Sequence, residues 1–184
     1  MSLAISELLA EYERALDYTD ELWTDLTIDE LHWRPDRNAS AIGWHLGHQP
    51  AVAHYLVRNL LAAEPGIDPE LDALMDSATP EPERGSLPGP DRLADYRRAV
   101  AERVRFRIGN VDAGEVGAPA QLRVIARTVL VAIINHEYQH DRWIAEVRSD
   151  RHGRDLPPEP HSGNLTSIDG YLVIRDGSGP QLRR

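Results

Sequence analysis

Apolar residues recur at helical spacing in four separate stretches of the chain. From about Ser6 to Trp23, Leu8, Leu9, Tyr12, Ala15, Leu16, Thr19 and the Leu22-Trp23 pair form one stripe with charges between them, which predicts an amphipathic helix. The segment from Thr27 to Pro35 follows, and Pro35 stops any helix there. Leu31 and Trp33 are expected to cover one end of the core, with His32 structural. Ser40 suits the cap of a second helix over about Ala41–Ala63. Pro50 inside it removes one hydrogen bond and bends it near His48, as strain at a working site or as a tolerated kink. The stripe Leu93, Tyr96, Val100, Val104 and Ile108 predicts a third helix over about Asp91–Ile108. A Gly-rich link from Gly109 to Gly117 leads to Pro119, where a fourth helix starts and runs to about Arg148.

Between the second and third helices, Glu64 to Gly89 is rich in proline, glycine and acid, with Leu71–Met75 as a short helical turn. After Asp150 the chain changes character. Asp155 to Pro160 reads as extended, and Tyr171–Arg175, between two Asp-Gly pairs, reads as a strand or hairpin arm that packs on the bundle or on a partner subunit. Two units are expected, a helical body over residues 1–150 and an extension over 151–184. Four amphipathic helices with one long middle connection predict an all-α four-helix bundle. The second helix would be about 35 Å long at 1.5 Å per residue. The middle connection is long enough to recross that span, so the expected order is up-down-down-up.

Composition narrows the chemistry. A chain of 184 residues can enclose a real core. It contains no cysteine, which excludes disulfides, thiolate ligands and a cysteine nucleophile. All 20 basic residues are arginine, so lysine chemistry is excluded as well. A net charge of −10 argues against nucleic-acid binding by bulk electrostatics. No stretch reads as a signal peptide or a membrane span, and a cytoplasmic protein without a membrane partner is expected.

The candidate chemistry lies in Asn135-His136-Glu137-Tyr138-Gln139-His140 on the fourth helix. Histidines four apart rise from one helical face and can offer two imidazole nitrogens to one ion. Projection puts them on the same side as Val129, Ala132, Ile133, Trp143, Ile144 and Val147, within the stripe expected to face the core. On the second helix, the face of His48 also carries Trp44, His45, Val52, Tyr55, Leu56 and Asn59, with His54 off to the side. A bundle would bring these faces together, making His48, His136 and His140 a three-histidine site with open positions for water or substrate. Taken alone, His136-Glu137-x-x-His140 also reads as a zincin protease motif with Glu137 as general base, but the proline-rich sequence beyond it supplies no helix for a further ligand.

Ser40-x-x-Gly43-Trp44-His45-Leu46-Gly47-His48 together with Asn135-His136-Glu137-x-x-His140 resembles the DinB-like superfamily over roughly residues 5–150, and Glu30 to Pro35 is similar to the stretch before the first ligand in many members. That resemblance implies an up-down-down-up bundle holding a divalent metal ion at His48, His136 and His140. Zn²⁺ is the first expectation, with Fe(II) or Ni as alternatives. It also implies a small-molecule thiol, of the mycothiol or bacillithiol kind, acting on an electrophile as in transferases and isomerases, and a homodimer. Tyr55 and His45 are then candidates for positioning substrate or moving a proton, with Glu137 and Trp44 supporting the ligands. The Trp-His-Leu-Gly-His wording is similar to the N-terminal domain of sulfoxide synthases, which keeps an Fe(II)-dependent oxidative enzyme as an alternative. A non-enzymatic stress or binding module is another.

Overall fold

Helices carry most of the chain, and their polar cross-links fix how they run. The computed structural model describes residues 3–61 and 64–175. Four long helices, α1 (Ile5–Trp23), α3 (Ile42–Leu61), α5 (Pro90–Ala113) and α6 (Pro119–Glu146), are accompanied by the short α2 (Ile28–His32) and α4 (Pro69–Leu74). Arg97 of α5 meets Leu46 and Gln49 of α3, while Arg103 further along meets His54, so α3 and α5 run parallel. Arg97 also approaches Asp20, and Arg105 pairs with Glu13, so α1 opposes α5. Thr19 bonds Asp141 and Leu22 bonds Arg148, so α6 runs with α1. The expected up-down-down-up all-α bundle is therefore the one observed.

Leu8, Tyr12, Leu46, Val57, Leu93, Val100, Val104, Leu130 and Ile133 are among the residues that close the core. The helix ends follow local chemistry. Thr27 and Glu30 form a reciprocal cap for α2, and Asp68 caps α4 by accepting from the Glu70 and Leu71 amides. Ser40, expected to cap α3, instead donates to Glu81. The expected end of α3 at Ala63 lies outside the described residues. α5 continues past the expected stop at Ile108, because Gly109 is tolerated inside it and Val111 is still buried. It ends at Gly114, whose φ of 79° is the left-handed conformation that closes many helices. Pro50 has no amide to offer Leu46, and the Leu46 carbonyl accepts from Arg97 Nη1 at 3.4 Å instead.

The extension packs on its own bundle. α6 passes into a wider π turn over Val147–Arg151, where Arg148 donates to the Leu22 carbonyl at 3.0 Å and to Asp25. Arg154 ties the next segment to Glu30. Strands β1 (Leu165–Ile168) and β2 (Tyr171–Ile174) then pair antiparallel with Leu165 opposite Ile174. Asp169 and Gly170 make the two-residue turn, with φ of 51° and 84°, which matches the twist of the strands. Asn135 Nδ2 donates to the Leu172 carbonyl at 2.8 Å, and the Leu172 amide donates to Asn135 Oδ1 at 2.6 Å. The second Asp-Gly pair and residues 176–184 lie outside the described residues. Among the described residues, no helix is long and apolar enough to cross a membrane.

Candidate metal centre

α3 and α6 cross with their histidines facing. One ring nitrogen from each of His48, His136 and His140 lies within 4.8 Å of the others. His136 Nε2 and His140 Nε2 are 3.1 Å apart. His48 Nδ1 is 2.7 Å from the Met75 carbonyl. A carbonyl can only accept, so Nδ1 carries the proton and the lone pair sits on Nε2, as a ligand requires. His45 Nδ1 lies 2.6 Å from His140 Nδ1, so a single proton bridges the two rings and braces His140 from behind.

Burial keeps these rings neutral. It lowers His45 to about 3, His136 to about 4 and His140 to about 2, with neighbouring imidazoles adding to the effect. His48 is also lowered by burial, partly offset by its bond to Met75. Three converging neutral imidazoles fit a divalent cation of the Zn²⁺, Fe(II) or Ni²⁺ kind. They would supply three donors to such an ion, fewer than the four that a closed structural site uses. A histidine with a depressed folded value is protonated more readily when unfolded. Its contribution to stability is complete above about pH 6.5 and declines as pH falls toward the folded value. Asp141 and Glu137, both raised by burial, act in the opposite sense, so the histidine term is best isolated by difference. For metal-free protein, the stability advantage of wild type over His136→Gln is expected to shrink by about 2 kcal/mol from pH 6.5 to pH 4. Urea midpoints in the presence of chelator would measure it.

The long middle connection, read from sequence as irregular apart from a short helical turn at Leu71–Met75, forms one wall. Met75 comes from it, and so does Arg84, whose guanidinium lies 4.0 Å over the Trp44 ring. Trp44 in turn stacks on His48 at 4.3 Å and 13°. Arg84 is held by Glu81, which also takes Arg34 at 2.7 Å. Gly47 is the close-approach point: a Cβ there would fall 2.5 Å from Met75 Cε and Sδ, in a fully buried spot. Gly47→Ala is therefore expected to cost about 1–2 kcal/mol by overpacking, read as a lowered urea midpoint.

Behind the histidines lies a buried polar network. Glu137 and Asp141 are each 1% exposed, and Thr19 and Gln49 are fully buried. Asp141 Oδ1 accepts from Thr19 and from Gln49, both at 2.9 Å. Gln49 also donates to the Glu137 backbone carbonyl, and Arg97 Nη2 sits 3.7 Å from the Glu137 carboxylate.

Two projections from the sequence are corrected. The buried stripe of α6 runs through Ala126, Leu130, Ile133, Glu137, Asp141 and Ile144, while His136 and His140 flank it half-buried. The centre of the stripe belongs to the two acids, because Thr19, Gln49 and Arg97 receive them. On α3, Tyr55 is 65% exposed and its carbonyl accepts from the Asn59 side chain, whereas His54, expected off to the side, is buried. Beyond Pro50 the buried positions of α3 are Ala53, His54 and Val57, so the face of His48 leaves the protein interior there. Glu137 faces Thr19 and Arg97 rather than the histidine nitrogens, which removes the geometry that a protease base needs. Gln49, Arg97 and Asp141 were not singled out from sequence, and Thr19 was read only as a position on the stripe of the first helix. Their signal was present: Arg97 stands four residues from Leu93 and seven from Val104, on the apolar stripe itself.

The family model of the DinB superfamily matches the chain over residues 11–144, a span that takes in all three histidines. No curated protein matches the chain.

Proposed function

The chain belongs to the DinB superfamily, and from this we propose that it is a metal-dependent enzyme acting on a low-molecular-weight thiol at His48, His136 and His140. The convergence of three neutral imidazole nitrogens carries this reading. A divalent cation bound there supplies the positive charge that favours a thiolate near neutral pH. The chain has no cysteine, so the sulfur nucleophile comes from the cosubstrate. His48 is fixed for ligation by Met75, and His140 by His45. His45 is thus a positioning residue in this reading. Trp44 excludes water from the His48 side, and Arg84 sets a positive charge over its outer face. In the transfer, sulfur forms a bond to an electrophilic carbon, the leaving group departs with its electron pair, and the thiol proton passes to solvent. Isomerisation would use the same thiolate without net loss of a group.

The test is metal analysis of untagged protein followed by thiol transfer to a monochloro or epoxide electrophile, with mycothiol and bacillithiol as probes. Turnover that chelator removes and Zn²⁺ restores is expected. Absence of bound metal, or no turnover with either thiol in metal-loaded protein, overturns the reading. Activity that appears only with Fe(II) and consumes O₂ would transfer the site to oxidative chemistry, which the same three imidazoles also accommodate.

A further inference from the structure

On the wall of the metal centre, one buried carboxylate is shared by two guanidinium groups. Glu81 takes Arg84 on one oxygen and Arg34, at 2.7 Å, on the other. Ser40 donates to the oxygen that holds Arg84. The group thus carries one positive charge that no carboxylate meets among the described residues, in a chain whose net charge is −10. Asp76, an acid of the same connection, accepts from the Ala78 amide instead. The Arg84 side chain is only 6% exposed, and a charge so far from water gains most from a counter-ion.

Arg84 is also only half used. Its Nη1 donates to Glu81 and, at 3.2 Å, to Ser40 Oγ. Nε and Nη2, the edge of the guanidinium that suits a carboxylate, have no hydrogen-bond partner among the described residues. Nε is enclosed, and Nη2 is the accessible donor of that edge. The guanidinium lies 4.0 Å from the centre of the Trp44 ring, and that ring stacks on His48 at 4.3 Å, so a single indole separates Arg84 from the histidine centre. After burial, the charge of Arg84 is among the causes that lower His48 and His45, so its field reaches the imidazoles.

We propose that Arg84 is a specificity-determining residue of the histidine centre and selects a substrate that carries a carboxylate, with Nη2 donating to it past the edge of Trp44. The inference rests on the reading of this centre as a metal-dependent thiol site and names the substrate class it takes.

Calorimetric titration of the Zn²⁺-loaded full chain tests it, with the mercapto acids from 3-mercaptopropionate to 6-mercaptohexanoate as probes, each beside its methyl ester. At least one acid is expected to bind about 10-fold more tightly than its ester, the gain typical of a charge-assisted hydrogen bond. Arg84→Met should bring that ratio to about 1, with the loss falling on the acid. Glu81 keeps Arg34 and Ser40 in this variant, so the wall is expected to stay folded. An arginine that only braced the wall would weaken acid and ester alike. Arg84→Lys keeps the charge without the planar edge and should retain about a third of the preference. A second probe pair grips the ion through oxygen: the monohydroxamate of succinate beside propionohydroxamate. An acid preference in this pair that Arg84→Met removes, with no thiol bound, would strike the thiol reading and leave the carboxylate site standing. Esters that bind wild type as tightly as the acids, or a preference that survives Arg84→Met and so belongs to the ion, would each overturn the inference. Equal losses for acid and ester, or failure of every probe to bind, would do the same.

Discussion

His140→Ala is expected to lower divalent-metal affinity by at least about 100-fold and to abolish metal-dependent turnover, while the protein stays folded. Losing one of three ligands costs more than losing a group that merely orients one, which typically costs about 10–100-fold. His140 is the middle of the contact series, 3.1 Å from His136 on one side and 2.6 Å from His45 on the other. Without it, His136 and His48 are left alone on separate helices, and His45 loses the ring it braces. The side chain is half-buried at the edge of the apolar stripe, so its truncation opens no large interior cavity. Competition against a chromogenic chelator would give the affinity, and far-ultraviolet circular dichroism the fold. Wild-type affinity in this variant would place the ion elsewhere. His45→Phe makes a useful companion, expected to weaken binding by about 10-fold through misorientation alone.

The largest stability effect is expected at Arg97, on the far side of the same helix crossing. Arg97→Leu should cost about 3–5 kcal/mol, because it strands the Glu137 carboxylate in the interior. The arginine is only 5% exposed and serves four partners, the Glu137 and Asp20 carboxylates, the Gln49 side chain and the Leu46 carbonyl that Pro50 leaves free. Removing it therefore exposes an unmet charge and an unmet backbone acceptor together. The double variant Arg97→Leu with Glu137→Gln should recover part of the loss, since the buried charge is then gone. Urea unfolding of the four corners of this cycle measures the coupling. A loss below about 1 kcal/mol for Arg97→Leu would mean that Glu137 is carried neutral in the folded protein.

The helices were legible because their apolar residues repeat at helical spacing and their ends carry proline, glycine or a capping acid. The short hairpin was legible from Asp169-Gly170, a pair that accepts positive φ at both positions. The three histidines were legible from their spacing on two helices. What hydropathy could not reveal was the pairing of polar residues across helices. Glu137 and Asp141 read as outward-facing on any scale that treats a carboxylate as solvated, and only Thr19, Gln49 and Arg97, from three other helices, make them interior residues. Tyr55 was misplaced for a related reason. A straight projection from His48 assumes that the same face stays buried along the whole helix, but the wall supplied by Met75 and Arg84 covers only its first half. Residues of an irregular connection leave no periodic trace, so their part in the site is invisible before folding.

Asn135 carries a consequence for the life of the protein in a crowded solution. Leu172 turns its amide and carbonyl away from β1, toward the open edge of the hairpin, where an unpaired strand invites a strand from another molecule. The Asn135 side chain occupies both groups, acting as a one-residue imitation of a neighbouring strand. The residue that begins the histidine motif thus also blocks edge-to-edge aggregation at the other end of its reach.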